Sequence, residues 1–328
     1  AIAVMEEELG FALFNRGKNG VSMTSYGASL YPSIRDVLNS DEALKQSIAR
    51  LNGLEKGKVK LGVFNSVCAS LLPGLLKSFA AHYPQIEIEV YQGTYDDVKE
   101  WLRTGQVDIA FLSSTCREEF NLTELFREPL LCIVPQDWPE PQDGVMTPAL
   151  MNGQSFVVQC DATDAEMRQF LKKYKISTER RCHVIDDQSN IAMVEAGLGI
   201  SIMPQMLLRD CKAAVKVYPI EPEEYRVVGL AVQRPASMAP AVEQMFHHIV
   251  DYCRPLLHKT KTFAAGAKVS ARRCFTLPEI SGIMKDRTEQ NAKGRGFYGN
   301  CGVRFQPTAG RTGCTADQGL HSGRKTEE

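Results

Sequence analysis

The chain has 328 residues, with 38 Lys and Arg against 39 Asp and Glu and a formal net charge of −1. That length is enough for two or three compact units, and a composition of 44% hydrophobic and 23% charged residues is ordinary for a globular protein. There is no global basicity to point to nucleic acid, although the positive charge of a small DNA reader can be local. No apolar run reaches the roughly 18 residues of a membrane helix and no secretion signal opens the chain, so the expected setting is the cytoplasm, with no membrane partner. Ten cysteines are scattered without a C-x-x-C pair, the pattern of buried reduced thiols rather than of a disulfide frame or a zinc centre.

The chain opens inside a helical pattern. Ile2, Val4 (or Met5) and Leu9 share an apolar face, Glu6-Glu7-Glu8 lies on the wet side, and Gly10 signals a C-cap. Phe11–Phe14 is expected as a strand, Arg16–Gly20 as a tight basic turn and Val21–Met23 as the returning strand. Asn19-Gly20 is a dipeptide that tolerates the positive φ a two-residue hairpin needs. Thr24 then offers a hydroxyl N-cap.

From Ser25 to about Asn52 the pattern predicts one long helix. Leu30, Ile34, Val37, Asp41, Leu44, Ile48 and Leu51 alternate spacings of four and three, the seam of a coiled coil with Asp41 as a polar interruption. Pro32 marks a place for a bend. No other apolar element lies within reach, so the seam is expected to meet a second copy of itself through Leu30, Ile34, Val37, Leu44, Ile48 and Leu51. Gly53–Gly57 reads as a hinge.

Beyond the hinge, strands and helices alternate as in a parallel sheet with crossover helices. Strands are expected at Val59–Phe64, Ile86–Tyr91, Val107–Leu112 and Pro129–Val134, with helices at Ser66–Tyr83 and Asp96–Thr104 between them. A second set follows, with strands at Phe156–Gln159, Cys182–Ile185 and Ile200–Met203 and helices at Ala165–Tyr174 and Ser189–Ala196. Val215–Ile220 and Arg226–Val232 are two more strands, and the helix Pro240–Leu257 closes the unit. Two such sets with a returning chain imply two lobes around a cleft. From Lys259 onward, glycine and basic residues dominate without periodicity, so this tail is expected to be irregular.

Open α/β sheets bind ligands at the carboxyl ends of their strands, where helix N-termini present free N–H groups. Four turns qualify: Asn65-Ser66-Val67, Gly93-Thr94-Tyr95, Gln159-Cys160-Asp161 and Asp187-Gln188-Ser189. Their hydroxyls and amides beside helix dipoles suit a small organic anion, although Ser66, Thr94 and Ser189 would also serve as plain N-caps, and Asp161 at the rim would oppose an anion. Catalysis has no support. H-E-x-x-H, G-x-S-x-G, Walker A and G-x-G-x-x-G patterns are absent, and His247-His248 on one helix face different ways. No cofactor and no metal site are expected.

The segment MEEELGFALFNRGKNGVSMTSYG, with Leu9-Gly10, Leu13-Phe14-Asn15-Arg16, the turn Lys18–Val21 and the helix start Thr24–Gly27, resembles the second half of the DNA-binding domain of LysR-type transcriptional regulators. KVKLGVFNSVCASLLPGLLKSFAAHYPQIEIEVYQG, LRTGQVDIAFL and VEAGLGISIMP are similar to the effector domain of the same family, whose fold is shared with periplasmic solute-binding proteins. The resemblance covers residues 1–258. It implies an α/β protein with the remnant of an N-terminal winged helix-turn-helix (1–23), a linker helix and hinge (24–57), and a two-lobed effector domain (58–258). Lobe I would be 58–134 with 226–258, lobe II 135–225, and residues 259–328 a basic tail foreign to the family.

The resemblance further implies effector contacts at Ser66, Thr94 and Gln188, with Asn65 and Ser189 beside them, and phosphate contacts by Arg16, Lys18, Asn19 and Thr24. A counterpart for the family's first helices and most of its recognition helix is missing, so a fragment with weak DNA binding is expected. A peroxide-sensing branch of the family uses two nearby cysteines in the second lobe; Cys160 falls in that region, but Cys182 is too far along to complete the pair. The expected protein is a ligand-responsive regulator of double-stranded DNA, a homodimer or dimer of dimers. The rival is a solute-binding protein of a transport system, which would share the cleft but has no use for a wing or a self-pairing helix.

Overall fold

A computed structural model describes residues 2–17, 20–53, 55–159, 165–179, 181–209, 211–263 and 303–306. At the N-terminus, α1 (Ile2–Leu9) leads into the antiparallel hairpin β1 (Phe14–Gly17) and β2 (Gly20–Met23), with Phe14 opposite Met23. The Glu6 carboxylate accepts the backbone N–H groups of Leu13 (2.7 Å) and Phe14 (3.0 Å), which fastens the helix to the hairpin and holds its pKa below the usual carboxylate range. The expected strand at Phe11–Phe14 starts only at Phe14. Leu13 instead turns inward and its carbonyl accepts the Thr24 N–H at 2.9 Å, which takes it out of the ladder. A Cβ on Gly27 would lie 2.3 Å from that same carbonyl oxygen, so only glycine lets the next helix approach so closely. Lys18 and Asn19 of the expected turn lie outside the described residues.

That next helix, α2 (Ser25–Leu51), is capped by the Thr24 hydroxyl, which accepts the Gly27 N–H at 3.0 Å, and it continues unbroken through Pro32. Its two sides differ. One side docks on the body of the chain through polar groups: buried Gln46 donates to the Lys58 carbonyl (3.1 Å) and accepts the Ala241 N–H (3.2 Å), and Asn39 donates to the Gly105 carbonyl (2.9 Å). Asp36 pairs with Arg234 and accepts from Gln233. The other side leaves Ile34, Val37, Leu44, Ile48 and Leu51 exposed, Leu51 almost completely, while Leu30 is half-buried.

The body begins with β3 (Gly57–Phe64), α3 (Asn65–Ser70), α4 (Leu72–His82), β4 (Ile86–Gly93), α5 (Tyr95–Arg103), β5 (Ile109–Ser113) and the long strand β6 (Thr123–Pro135). It continues with α6 (Pro148–Met151), β7 (Phe156–Gln159), α7 (Ala165–Lys173), β8 (Arg181–Val184), α8 (Asp187–Glu195), β9 (Ser201–Pro204), α9 (Gln205–Leu208), β10 (Val215–Pro219) and β11 (Tyr225–Val232). The helix α10 (Pro240–Phe263) and the strand β12 (Val303–Gln306) complete the described elements.

The strand order is β10-β6-β11-β5-β3-β4-β12, with β9 also on β6. β3 runs parallel to β4 and β5, as the crossover helices predict. β7 and β8 form a parallel pair beside β9. Four apolar clusters form among the described residues, and the two largest lie one in each lobe. In the first, Val59, Leu61, Ile88 and Phe111 pack with Phe79 of α4 and with Met245 and Ile249 of α10; in the second, Cys132 and Phe156 pack with Phe170 and Ile202.

Three further elements depart from expectation. β6 extends well before Pro129 because Thr123–Pro129 pairs with β11 in the first lobe and Leu130–Pro135 with β9 and β10 in the second, so one strand belongs to both. The single helix expected over Ser66–Tyr83 breaks at Leu71, where Pro73, lacking an N–H, starts a new first turn. Part of the tail is regular: α10 continues to Phe263, and Val303–Gln306 lies parallel on the outer edge of β4, its apolar-polar alternation suiting a strand.

Candidate effector-binding crevice

The two lobes face each other across a narrow crevice of about 40 Å³ at the carboxyl ends of β3, β4 and β7. From the first lobe come Phe64, Asn65, Ser66, Gly93, Thr94 and Tyr95; from the second Gln159, Glu166, Met167, Asp187, Asn190, Ile202 and Met203. Arg226, on the shared ribbon, lies between them.

Arg226 is fully enclosed by partners. Its guanidinium donates to one Glu128 oxygen from Nε (2.8 Å) and again from Nη2, donates to the Tyr95 hydroxyl at 3.2 Å, and lies 5.2 Å from the centre of the Phe64 ring. The other Glu128 oxygen accepts the Met206 N–H at 2.9 Å. Burial alone would pull the arginine down, but the Glu128 carboxylate, with Tyr95 and Glu166 nearby, outweighs it and the group is held firmly charged. Ser113 at the end of β5 donates to Glu166 of α7 at 2.6 Å, a hydrogen bond that ties one lobe to the other. Asp187 accepts from Gln159 at 2.5 Å; burial pushes its carboxyl up, against that hydrogen bond and the charge of Arg226.

Of the residues expected to contact an effector, Asn65, Ser66 and Thr94 line the crevice and Gln188 and Ser189 do not. Ser66 is 3% exposed and its hydroxyl has no hydrogen-bond partner among the described residues. Thr94 is occupied as a cap: its hydroxyl donates to the Asp97 carboxylate and accepts the Asp97 N–H in a reciprocal capping box. Asn65 accepts from Gln92 at 3.1 Å. Ser189 is turned toward Asp186, giving it both its hydroxyl and its N–H, because Asp186 rather than a hydroxyl residue caps α8. Cys160 and Asp161 lie outside the described residues.

Sequence reasoning missed Arg226, Glu166, Gln159, Asp187 and Asn190 as crevice residues. Asp187 and Asn190 stand three apart on one face of α8, a helical spacing that could have flagged them together. Among the described residues there is no cluster of three or more His, Cys, Asp or Glu suited to a metal, and no helix is long and apolar enough to cross a membrane. The described cysteines are free, and burial raises the thiol pKa of Cys68, Cys116, Cys132 and Cys253.

A two-lobed α/β body hung from a long helix that follows a small winged hairpin defines a ligand-sensing, DNA-associated class of protein. The profile of the LysR substrate binding domain matches residues 52–254, and the chain belongs to the LysR family of transcriptional regulators, which are not enzymes. It is similar to the HTH-type transcriptional regulator YvbU of Bacillus subtilis, 28% identical over 244 residues that cover 73% of this chain and 83% of that protein. Among solved structures, full-length OxyR from Pseudomonas aeruginosa shares the fold with a TM-score of 0.62 at 21% identity, covering 77% of this chain and 83% of that one. The effector-binding domain of QuiR in complex with shikimate superposes with a TM-score of 0.55 at 21% identity, covering 62% of this chain and 99% of that one.

Proposed function

We propose that a small organic molecule bearing an anionic group binds in the crevice between the lobes and changes how the two α2 helices of a dimer present their winged ends to double-stranded DNA. The buried Ser66 hydroxyl facing the crevice, without a hydrogen-bond partner among the described residues, carries this reading, because such a group is costly unless something meets it. Asn65 and the turn at Thr94 flank it, while Gln188 and Ser189 would act only on ligands that reach the rim. The exposed stripe Ile34, Val37, Leu44, Ile48 and Leu51, with Leu30, pairs with a second copy in a homodimer or dimer of dimers. Residues 1–23 form the DNA-contacting end, with Arg16, Lys18, Asn19 and Thr24 on phosphates, where they set grip rather than sequence choice. Residues 24–57 form the rod and hinge, 58–258 the sensor and 259–328 an appended tail. The protein works in the cytoplasm.

The effector can shift the assembly only by its difference in affinity for two arrangements. Fluorescence anisotropy with DNA from upstream of its own gene, with and without a metabolite that raises the melting temperature, tests the coupling. The expected result is a ligand-dependent change in DNA affinity that Ser66→Ala abolishes. Ligand binding that leaves DNA affinity unchanged would overturn the regulatory part, and binding unaffected by Ser66→Ala would overturn the site.

A further inference from the structure

The crevice holds more negative charge than its own residues balance. Three of its lining side chains ionise: Arg226, Glu166 and Asp187. The arginine is already bound to Glu128, which lies behind it. Glu166 has the Ser113 hydroxyl and Asp187 the Gln159 amide, but neither carboxylate has a lysine, arginine or histidine within ion-pair distance among the described residues. Three residues after Asp187 on the same face of α8 stands Asn190. It is 1% exposed, and among the described residues its side-chain oxygen accepts nothing while its amide reaches only the Val157 carbonyl at 3.5 Å.

The second-lobe wall is therefore rich in acceptors and short of positive charge. A protonated primary amine offers three N–H donors and one charge on a single atom. A hydroxyl or an ether offers no charge, and a second carboxylate would be repelled.

We propose that the effector carries a protonated primary amine received by Glu166, Asp187 and Asn190, while Ser66 meets the part of the ligand that faces the first lobe. The inference rests on the crevice being the effector site. With the anionic group placed on the first lobe, the ligand class is a zwitterion of amino-acid type. Its ammonium nitrogen and its carboxylate bridge the two lobes, so binding favours closure.

The test uses the full chain and a matched panel: each common L-amino acid beside its 2-hydroxy acid and its N-acetyl derivative, read by thermal shift and isothermal calorimetry. At least one free amine binds, and its hydroxy and N-acetyl analogues bind about tenfold or more weaker. Glu166→Gln and Asp187→Asn, which keep the acceptors for Ser113 and Gln159, weaken the amine by a similar factor. Without ligand both variants melt at or above the parent temperature, since each removes an unbalanced charge; a lower melting temperature for both would show that the charges serve the fold and would overturn the inference. Amine-free acids that bind as well as amines and are weakened by Ser66→Ala would overturn the amine while leaving the effector site standing. Binding unaffected by any of the three variants, or no binding anywhere in the panel, would overturn both.

Discussion

At the scale of single residues, the crevice is governed by which partners each polar group has. Arg226 and Glu128 form a buried pair, and removing one member leaves the other charged and enclosed. Arg226→Leu is expected to destabilise the protein by about 3–5 kcal/mol in urea unfolding, whereas breaking an exposed pair such as Lys45–Asp41 should leave the unfolding midpoint nearly unchanged. His248 is sensitive to pH in the neutral range. Burial, and next to it the charge of His82, hold its pKa below the ordinary 6.5, while Asp251 and the Leu75 backbone pull the other way. The folded state thus resists protonation more than the unfolded chain does. This contribution to stability is full above about pH 6.5 and is lost as the pH falls below it. Melting curves from pH 7.5 to 5.5 should fall less steeply for His248→Gln than for the parent chain.

Ser66 was legible as a crevice residue because a hydroxyl just after a predicted strand is a recognisable pattern. Arg226 was not, because its partner Glu128 is 98 positions away and nothing in either local sequence announces the other.

At the scale of elements, α2 shows how one helix can serve two masters. Its polar side is tied to its own body through Gln46, Asn39 and Asp36, and its apolar stripe is left to solvent. Leu44 is 60% exposed. Leu44→Glu is therefore expected to leave the melting temperature of the sensor body unchanged while shifting sedimentation from dimer to monomer; a persistent dimer would remove this stripe from the interface.

The heptad spacing made that helix readable from residues alone, and strand-helix alternation did the same for the β3–β5 region. The full reach of β6 was not readable. Its first half, Thr123–Glu128, mixes charged and apolar residues, and only pairing with β11, far along the chain, makes it a strand. The hairpin start was misread for a related reason: Leu13 has a strand-like neighbourhood, but tertiary packing draws it inward.

At the scale of the whole molecule, side-chain hydrogen bonds and apolar contacts tie the lobes, as does the backbone. The Ser113–Glu166 hydrogen bond is one, and a hydrogen bond of this kind contributes about 1 kcal/mol. If it helps hold the lobes together, Ser113→Ala shifts the ratio of closed to open molecules about fivefold toward open. Small-angle scattering of the ligand-free chain should then show a larger radius of gyration for the variant, and saturating effector should remove the difference.

The backbone joins the lobes through two ribbons lying side by side. β6 passes between them at Leu130, whose N–H donates to the Glu224 carbonyl at 2.8 Å just before β11 begins. Two laddered strands resist shear yet flex along their length, so the lobes must swing like the ends of a leaf spring rather than slide. The body of that spring is not free-standing. α10 packs on the first lobe and grips α2 through the Ala241 and Gln46 contact and the Arg50–Glu243 pair at 3.4 Å. A swing of the first lobe therefore acts on the rod as torque on a lever, and the tip of that lever is the hairpin carrying Arg16.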